Sequence, residues 1–288
     1  MTEPLRPDAN LADLLDANTA LLSLVLTVQP LTPDYRPRPL GRALHATLMG
    51  VLNKHDAALA QALHDSAGPK PFTVSDVFEV DGGWAVRFTA LTRALAEALG
   101  EAALHGPLSP GEILNLDGLK LRIDGAATRR EQQPWAGQAA YGSLALPWLY
   151  QQTEPEVRLA FEFASPTTFK SNDMNVPVPM PGWVFGGLLD RWNLFAPVAL
   201  PETVREFAAT RLALSRYELK TVAVPFKPGT LKFGAVGYGV YTAPHPDAAL
   251  LGALNLLSEF AFFAGVGAQT TMGLGQCRPM ARPAQRET

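Results

Sequence analysis

The stretch 265–276 near the C-terminus has residue types and spacing suited to binding phosphate groups. Two Gly-X-Gly pairs flank two adjacent threonines; the six residues are Gly265, Gly267, Thr270, Thr271, Gly273 and Gly275. Glycine permits positive φ and close backbone approach, and successive exposed N–H groups form a concavity that binds anions. The stretch therefore predicts a loop lying against phosphates, with threonine hydroxyls as further donors, and a plain structural turn is the alternative.

The spacing excludes the usual phosphate-binding loops. A Walker loop requires Gly-Lys-Ser/Thr, which this stretch lacks, and a dinucleotide fingerprint requires a strand before it and a helix after it. Here an apolar helical pattern over 250–263 comes first, and Cys277-Arg278-Pro279 cannot open a long helix. The loop alone is thus compatible with either phosphate binding or a structural role.

The composition is that of a globular protein. The chain has 288 residues, of which 47% are hydrophobic and 18% charged, enough for one large domain or two ordinary ones. No apolar run of about 18 residues predicts a membrane span, and the polar N-terminus is not typical of a signal peptide. The single cysteine, Cys277, excludes an internal disulfide and a cysteine-rich zinc site. We therefore expect a cytoplasmic protein with no membrane partner.

The charge is unevenly distributed along the chain. The net charge of −3 argues against a general nucleic-acid binder, which usually carries a basic excess. The region 170–232 nevertheless holds many lysines and arginines against few acids. A local basic groove on the second half of the chain, with acids elsewhere, is the hypothesis that follows.

Apolar periodicity divides the chain into two similar halves. The first half predicts a strand over 21–28, one amphipathic helix over 40–63 or two with a break near 53–56, a hairpin with strands over 72–78 and 84–88, a helix over 91–99 ended by Gly100, and a strand over 119–123. The second half predicts strands over 157–163, 212–221 and 233–241, helices over 182–193 and 246–263, and a last strand after 273. This β-α-β-β-α-β order is ferredoxin-like. We expect an α+β protein with tandem ferredoxin-like domains over 1–125 and 151–288, and a linker over 126–150.

Four motifs, in this order along the chain, resemble those of one family. Residues 63–73 (LHDSAGPKPFT) are similar to its "LH…GPKPFT" signature, and 163–170 (FASPTTFK) to its "F-x-SPT-x-FR" segment. Residues 176–193 are similar to "P-x-P…VF-x-SLL-x-RWN", and the loop 265–275 to the C-terminal glycine-rich signature. The chain therefore resembles the CRISPR-associated repeat-RNA endoribonucleases, the Cas-six family of the RAMP superfamily, over nearly its whole length.

The resemblance implies a fold and an activity. The fold would be two ferredoxin-like (RRM-like) domains facing across a central cleft. The activity would be metal-independent, cofactor-free endonuclease cleavage of CRISPR repeat RNA in the precursor transcript, which makes guide crRNA. The 2′-hydroxyl would attack the scissile phosphate and leave a 2′,3′-cyclic phosphate and a 5′-hydroxyl. Subunits of an interference complex and a homodimer are further partners that the resemblance leaves open.

Such a reaction requires a base, an acid and a cation beside the phosphorane. Histidine suits the first two roles because its pKa lies near neutrality, and lysine or arginine suits the third. The resemblance points to His64 and Lys70, with the Gly-Pro turn folding Lys70 back toward His64. His45 in the first helix is the rival or the acid–base partner, because Met49 stands where some relatives carry a catalytic tyrosine. A helix-end role for His64 and a half-buried helix position for His45 are the structural alternatives.

The resemblance also implies contacts to the RNA backbone. The candidate basic residues are Lys170, Arg191, Lys220, Lys227 and Lys232. The glycine-rich loop would pack against the first helix and hold the RNA, with phosphate and shape carrying most of the recognition. A purely structural loop that wedges the second domain against the first is the alternative.

Two other classes of function stay open. One is a non-catalytic RAMP subunit that binds guide RNA within an interference complex; the presence of both His45 and His64 disfavours it. The other is a small-molecule enzyme with duplicated ferredoxin-like domains. It would need a cluster of acids or a cofactor motif, and the sequence shows neither.

Overall fold

The structure, a computed structural model, describes residues 11–32, 35, 38–80, 82–227 and 229–280, with the backbone alone for Asp13, Phe226 and Lys227. The chain divides into two units. Unit 1 comprises Met1–Ala140 together with Thr271–Gly273, and unit 2 comprises Tyr141–Thr270 together with Leu274–Thr288. The chain therefore leaves unit 2 within the glycine-rich loop, contributes three residues to unit 1, and returns.

Unit 1 has the ferredoxin-like strand order that the sequence predicts. Its helices are α1 (Leu11–Leu14), α2 (Gly41–His55), α3 (Ala57–Asp65) and α4 (Arg93–His105), and its strands are β1 (Leu21–Pro30), β2 (Phe72–Val74), β3 (Phe78–Val80), β4 (Gly83–Ala90), β5 (Ile113–Leu116), β6 (Leu119–Ala127) and β7 (Gly137–Ala139). The main path through the sheet is β2-β4-β1-β6-β5, with antiparallel neighbours. The strands β2, β4, β1 and β6 form the four-stranded ferredoxin-like sheet, and β5 adds a fifth strand at its edge beside β6.

The core of unit 1 explains why α2 forms where it does. Alternate residues of β1, such as Leu24 and Leu26, point into one apolar cluster. The helical stripe of α2, which includes Leu44 and Leu48, is buried in the same cluster. The strand, whose side chains repeat every two residues, and the helix, whose side chains repeat every 3.6 residues, thus bury their apolar faces in one core.

Of the two alternatives for the first helical region, the structure has two helices with a break. Helix α2 ends at His55, and Asp56 begins α3 because its side chain accepts a hydrogen bond from the Leu59 N–H at 2.9 Å. An aspartate at this position satisfies a backbone donor that would otherwise lack a partner. The break leaves His64 in the last turn of a separate short helix.

Two predictions for unit 1 are wrong in detail, and one strand was not predicted. Helix α4 runs through Gly100 and ends at His105. The glycine serves packing, because a Cβ there would meet the Leu11 and Leu15 side chains at 2.6 and 3.0 Å. The strand predicted over 72–78 is split, since Ser75 forms an isolated parallel bridge with Gly273. Strand β5 was not predicted. It forms a hairpin with β6 through Asp117 and Gly118, both at positive φ.

Unit 2 repeats the ferredoxin-like order. Its helices are α5 (Tyr141–Leu149), α6 (Pro181–Phe195), α7 (Thr203–Arg211) and α8 (Ala248–Ala264), and its strands are β8 (Arg158–Thr167), β9 (Phe169–Ser171), β10 (Met174–Val176), β11 (Ala213–Lys227), β12 (Thr230–Thr242) and β13 (Cys277–Pro279). The sheet order is β11-β12-β8-β13. Aromatic side chains fill its core, where Phe161 meets both Phe185 and Tyr241 edge to face. The α+β class with two ferredoxin-like units is therefore confirmed.

The sequence also predicted a linker, two domain limits and a cleft between the domains. The segment 126–150, expected as a linker, holds the end of β6, β7 and α5. The domain limits 1–125 and 151–288, and the cleft between the domains, stay predictions. Among the helices that the structure describes, none combines the length and the apolar character needed to cross a membrane.

Two glycines of α2 give a test of how the segment Thr271–Gly273 packs against this helix. A Cβ at Gly41 would lie 2.3 Å from the Met272 carbonyl oxygen, whereas a Cβ at Gly50 would meet nothing within 4 Å. We expect Gly41→Ala to lower the free energy of unfolding by about 1–3 kcal/mol because it overpacks against backbone. Gly50→Ala, the matched control, should raise it by about 0.5–1 kcal/mol. Urea titration measures both, and equal effects would contradict the packing.

Candidate functional site

The three predicted catalytic residues lie together in unit 1. His45 is on α2, His64 is in the last turn of α3, and Lys70 follows the turn at Gly68, which has a φ of 91°. Burial is the main cause that lowers the pKa of His45; the hydrogen bond with Thr271 raises it, and the charges of Lys70 and His64 lower it further.

The hydrogen bond of His45 fixes which ring nitrogen carries the proton. Its Nδ1 lies 3.0 Å from the carbonyl oxygen of Thr271. A carbonyl can only accept, so Nδ1 is the donor and Nε2 of the neutral ring presents a lone pair. The ring also packs against Phe72, with centroids 5.7 Å apart. His45 is thus held with Nε2 as its proton-accepting atom.

The segment Thr271–Gly273 is held on unit 1 by its own backbone. The Gly273 N–H donates to the Val74 carbonyl at 3.0 Å, and Gly273 bridges Ser75 in parallel fashion. Gly273 has a φ of 96°, a conformation that favours glycine. These contacts place the Thr271 carbonyl at α2, which fits the family expectation that the loop packs against the first helix.

Asp76 joins the start of α2 to the same segment. Its Oδ1 accepts hydrogen bonds from the Leu40 and Gly41 N–H groups at 2.7 and 2.5 Å. Leu40 has no side-chain oxygen with which to cap the helix, so Asp76 supplies it from a distance. A Cβ at Gly273 would lie 3.0 Å from the Asp76 carboxylate atoms. Burial raises the pKa of the Asp76 carboxyl, while the two N–H donors lower it.

Asp76 and Gly41 are not among the residues predicted from the sequence. The available signal for Asp76 is an acid within an otherwise apolar strand pattern, FTVSDVF. Gly41 lies at the first position of α2, where the sequence gives no reason for a glycine. Both become intelligible only with Met272 and Gly273 in place.

Lys70 folds back onto the end of α3, as expected from the Gly-Pro turn. Its Nζ donates to the carbonyls of Leu63 at 2.5 Å and Ser66 at 2.6 Å, and to the Ser66 hydroxyl at 2.9 Å. A lysine ammonium has three donors, and these acceptors use them. The side chain therefore caps α3, and its charge also acts on His45.

His64 is positioned differently from His45. Its side chain is exposed, whereas the His45 side chain is half-buried. The Lys70 Nζ also lies 3.4 Å from the His64 carbonyl oxygen, so backbone rather than ring contacts link these two residues. The His64 side chain is thus accessible to solvent, whereas the His45 ring is held by the Thr271 carbonyl.

The glycines of the loop that belong to unit 2 serve close backbone packing. A Cβ at Gly267 would lie 2.4 Å from the Thr168 carbonyl oxygen, and one at Gly275 would lie 2.1 Å from that of Val266. Three loop N–H groups donate to backbone carbonyls: Val266 to Gly275, Ala268 to Thr168, and Gly275 to Pro166. Those donors are satisfied within unit 2, so RNA contacts by Gly265, Gly267, Gly273 and Gly275 stay predictions.

Arg191 holds the same loop in shape. Its guanidinium donates to the carbonyls of Ala264, Gly265 at 2.9 Å and Gly267 at 3.0 Å, and to the Thr270 hydroxyl at 3.1 Å. Burial lowers its pKa to about 10. The observed role of Arg191 and Thr270 is to organise the loop, and their contact with RNA stays a prediction, as does that of the Thr271 side chain.

The remaining basic candidates lie on strands of unit 2. Lys170 on β9 and Lys220 on β11 are exposed, and Lys232 on β12 is partly buried. Lys220 pairs with Val236, and Lys232 with Val224, which is four residues further along β11. Lys220 and Lys232 therefore share one face of the hairpin. The Lys227 side chain lies outside the described part of the chain.

Among the residues that the structure describes, no group of three or more His, Cys, Asp or Glu side chains is placed to hold a metal ion. The histidines of the candidate site are accompanied by a lysine and by backbone carbonyls. The candidate site thus provides histidines that can transfer protons and a lysine that carries positive charge.

Substitution of Arg191 tests its role in the loop. Arg191→Lys replaces a planar fork by a single ammonium, which cannot reach all four acceptors. We expect the free energy of unfolding to fall by about 3 kcal/mol, because buried carbonyls lose their donors. Arg211→Lys, at the exposed end of α7, is the matched control and should change it by less than about 0.5 kcal/mol. Similar losses in both variants, measured by urea unfolding, would refute the assignment.

Two family models match the chain. The model of CRISPR-associated endoribonuclease Cas6 matches residues 161–277, and that of the CRISPR Cas6 N-terminal domain matches residues 21–82. The first match covers β8 to β13 of unit 2, and the second covers β1 to β3 of unit 1. No curated protein matches the chain.

Solved structures of Cas6 proteins share the fold. A product complex of the Cas6 protein TTHA0078 is 29% identical, covers 91% of this chain and 100% of its own, and has a TM-score of 0.74. A product complex of Cas6 TTHB231, a Thermus thermophilus protein, is 25% identical, covers 91% and 99%, and has a TM-score of 0.76.

A more distant structure agrees in fold alone. The product of a Cas6-related gene from Pyrococcus furiosus is 11% identical, covers 91% of this chain and 100% of its own, and has a TM-score of 0.57. The Thermus structures and the two family models agree with the four sequence motifs, and the chain belongs to the CRISPR-associated endoribonuclease Cas6 family.

Proposed function

We propose that this chain binds CRISPR repeat RNA and cleaves it without a metal ion, giving guide crRNA with a 2′,3′-cyclic phosphate and a fragment with a 5′-hydroxyl. The observation that carries the proposal is the hydrogen bond from His45 Nδ1 to the Thr271 carbonyl, which leaves Nε2 as a base. The relatives with TM-scores of 0.74 and 0.76 were solved as product complexes, which supports RNA as the substrate class.

The environment of His45 suits it to the role of general base. Burial and the nearby charges lower its pKa, so the neutral ring predominates at neutral pH. Nε2 takes the proton of the 2′-hydroxyl as that oxygen forms its bond to phosphorus. The bond from phosphorus to the 5′-oxygen breaks, and exposed His64 supplies the proton to this leaving group.

Lys70 is the proposed cation beside the phosphorane. Its charge reaches the His45 ring, which places positive potential where phosphate charge would develop. Contacts of Lys170, Lys220, Lys227 and Lys232 with the RNA backbone are part of the proposal. An interference-complex partner, a homodimer and a cytoplasmic location are retained as expectations.

A non-catalytic guide-RNA subunit is the second candidate. One observation favours it: the Lys70 ammonium already donates to carbonyls of Leu63 and Ser66, so phosphate must compete with the end of α3. Wild-type protein that binds repeat RNA tightly without cutting it would establish this candidate instead.

Histidine substitutions test the proposed reaction. We expect His45→Ala and His64→Ala each to slow single-turnover cleavage of the host's repeat RNA in EDTA by about 10²–10⁴-fold, because each removes a proton-transfer group. His105→Ala, an exposed histidine at the end of α4, is the control and should cleave normally. A 2′-deoxy substitution at the cut site should abolish cleavage; undiminished cutting of that RNA would contradict the mechanism.

The pH dependence tests the base. Because the pKa of His45 is lowered, its neutral form persists to lower pH, and the rate should fall only below the usual histidine pKa of about 6.5. Lys70→Met removes a charge that lowers this pKa, so the acidic limb should move to higher pH. Lys54→Met, an exposed lysine at the end of α2, should leave the limb in place. A limb unmoved by Lys70→Met would contradict the assignment.

A further inference from the structure

Two parts of unit 1 meet at the carboxylate of Asp76. One is the start of α2, where Oδ1 accepts from the Leu40 and Gly41 N–H groups. The other is Gly273: a Cβ added to this glycine would lie 3.0 Å from Cγ, Oδ1 and Oδ2 of Asp76. A single carboxylate therefore contacts the helix that bears His45 and the segment that bears the Thr271 carbonyl.

The two contacted parts also touch each other. Gly41 lies against the Met272 carbonyl, where a Cβ would be 2.3 Å from the oxygen. His45 is one helical turn after Gly41, so both residues face the segment Thr271–Gly273. The Val74 carbonyl holds Gly273 from the strand side. The distance from His45 Nδ1 to the Thr271 oxygen thus depends on where Asp76 sets α2 relative to Gly273.

We propose that Asp76 is a positioning residue for His45: by capping α2 and contacting Gly273 it sets the hydrogen bond that keeps the proton on Nδ1 and leaves Nε2 as the base. The catalytic consequence rests on the proposed function of His45. The effect on the His45 tautomer does not, because it concerns the protein without RNA.

The experiment combines nitrogen NMR of the His45 ring with single-turnover cleavage at saturating repeat RNA. In wild type, long-range proton–nitrogen spectra should show the Nδ1–H tautomer. In Asp76→Ala we expect a shift toward the Nε2–H tautomer, and a cleavage rate constant lower by roughly tenfold to hundredfold. Affinity for a 2′-deoxy repeat RNA should stay within about twofold, because binding does not use this bond.

Three further variants separate positioning from stability. Asp76→Asn keeps an amide oxygen as the helix-capping acceptor and should restore the tautomer and most of the rate. Asp76→Glu keeps the charge but lengthens the side chain toward Gly273, so we expect it to cleave slowly as well. It is the test variant if Asp76→Ala does not fold. Asp247→Ala is the matched control: it removes the aspartate that caps α8 by accepting from the Leu250 N–H at 3.0 Å, and should leave tautomer and rate unchanged.

The outcomes are distinguishable. An unchanged tautomer and rate in Asp76→Ala, or in Asp76→Glu if the alanine variant does not fold, would overturn the proposal. So would an equal loss of activity in Asp247→Ala. A displaced tautomer with undiminished cleavage would support the role of Asp76 in placing the ring, and would overturn His45 as the base. Slow His45→Ala beside normal Asp76 variants would overturn only the role of Asp76.

Discussion

The return of Thr271–Gly273 to unit 1 is the constraint on which the candidate site depends. The Thr271 carbonyl fixes the proton on His45 Nδ1, and it is in place because Gly273 donates to the Val74 carbonyl and bridges Ser75. Gly41 permits the approach, since any side chain there would enter the Met272 peptide. A loop that directly precedes the last strand in sequence therefore supplies the hydrogen-bond acceptor for a histidine on α2.

The glycine-rich signature has the structural role that the sequence left open beside RNA binding. Its N–H groups at Val266, Ala268 and Gly275 are satisfied by backbone carbonyls, and buried Arg191 satisfies the carbonyls of Ala264, Gly265 and Gly267. The glycines are required because backbone lies against backbone. The loop is thus organised by its own backbone and by Arg191, and its contact with RNA stays a prediction.

The sequence predicted the order of elements better than the partners of the site. Local signals offered two helices as one alternative, and the break lies at Asp56, where a capping side chain and its N–H donor are three residues apart. They failed at Gly100, whose environment is made by α1 from far along the chain. The site shows the same division: the LH…GPK segment pointed to His64 and Lys70 as candidates, whereas the acceptor of His45 lies 226 residues away. Such pairs follow from tertiary packing, which periodicity and spacing do not encode.

The central claim is that His45 transfers a proton through Nε2 while the Thr271 carbonyl holds Nδ1–H. Chemical rescue of His45→Ala tests it most directly. Imidazole added to the cleavage reaction should fill the space and restore cutting, and 1-methylimidazole, of similar basicity but without an N–H for the carbonyl, should restore much less. Equal rescue by the two compounds would contradict the role of Thr271, and rescue by neither would contradict proton transfer at this position.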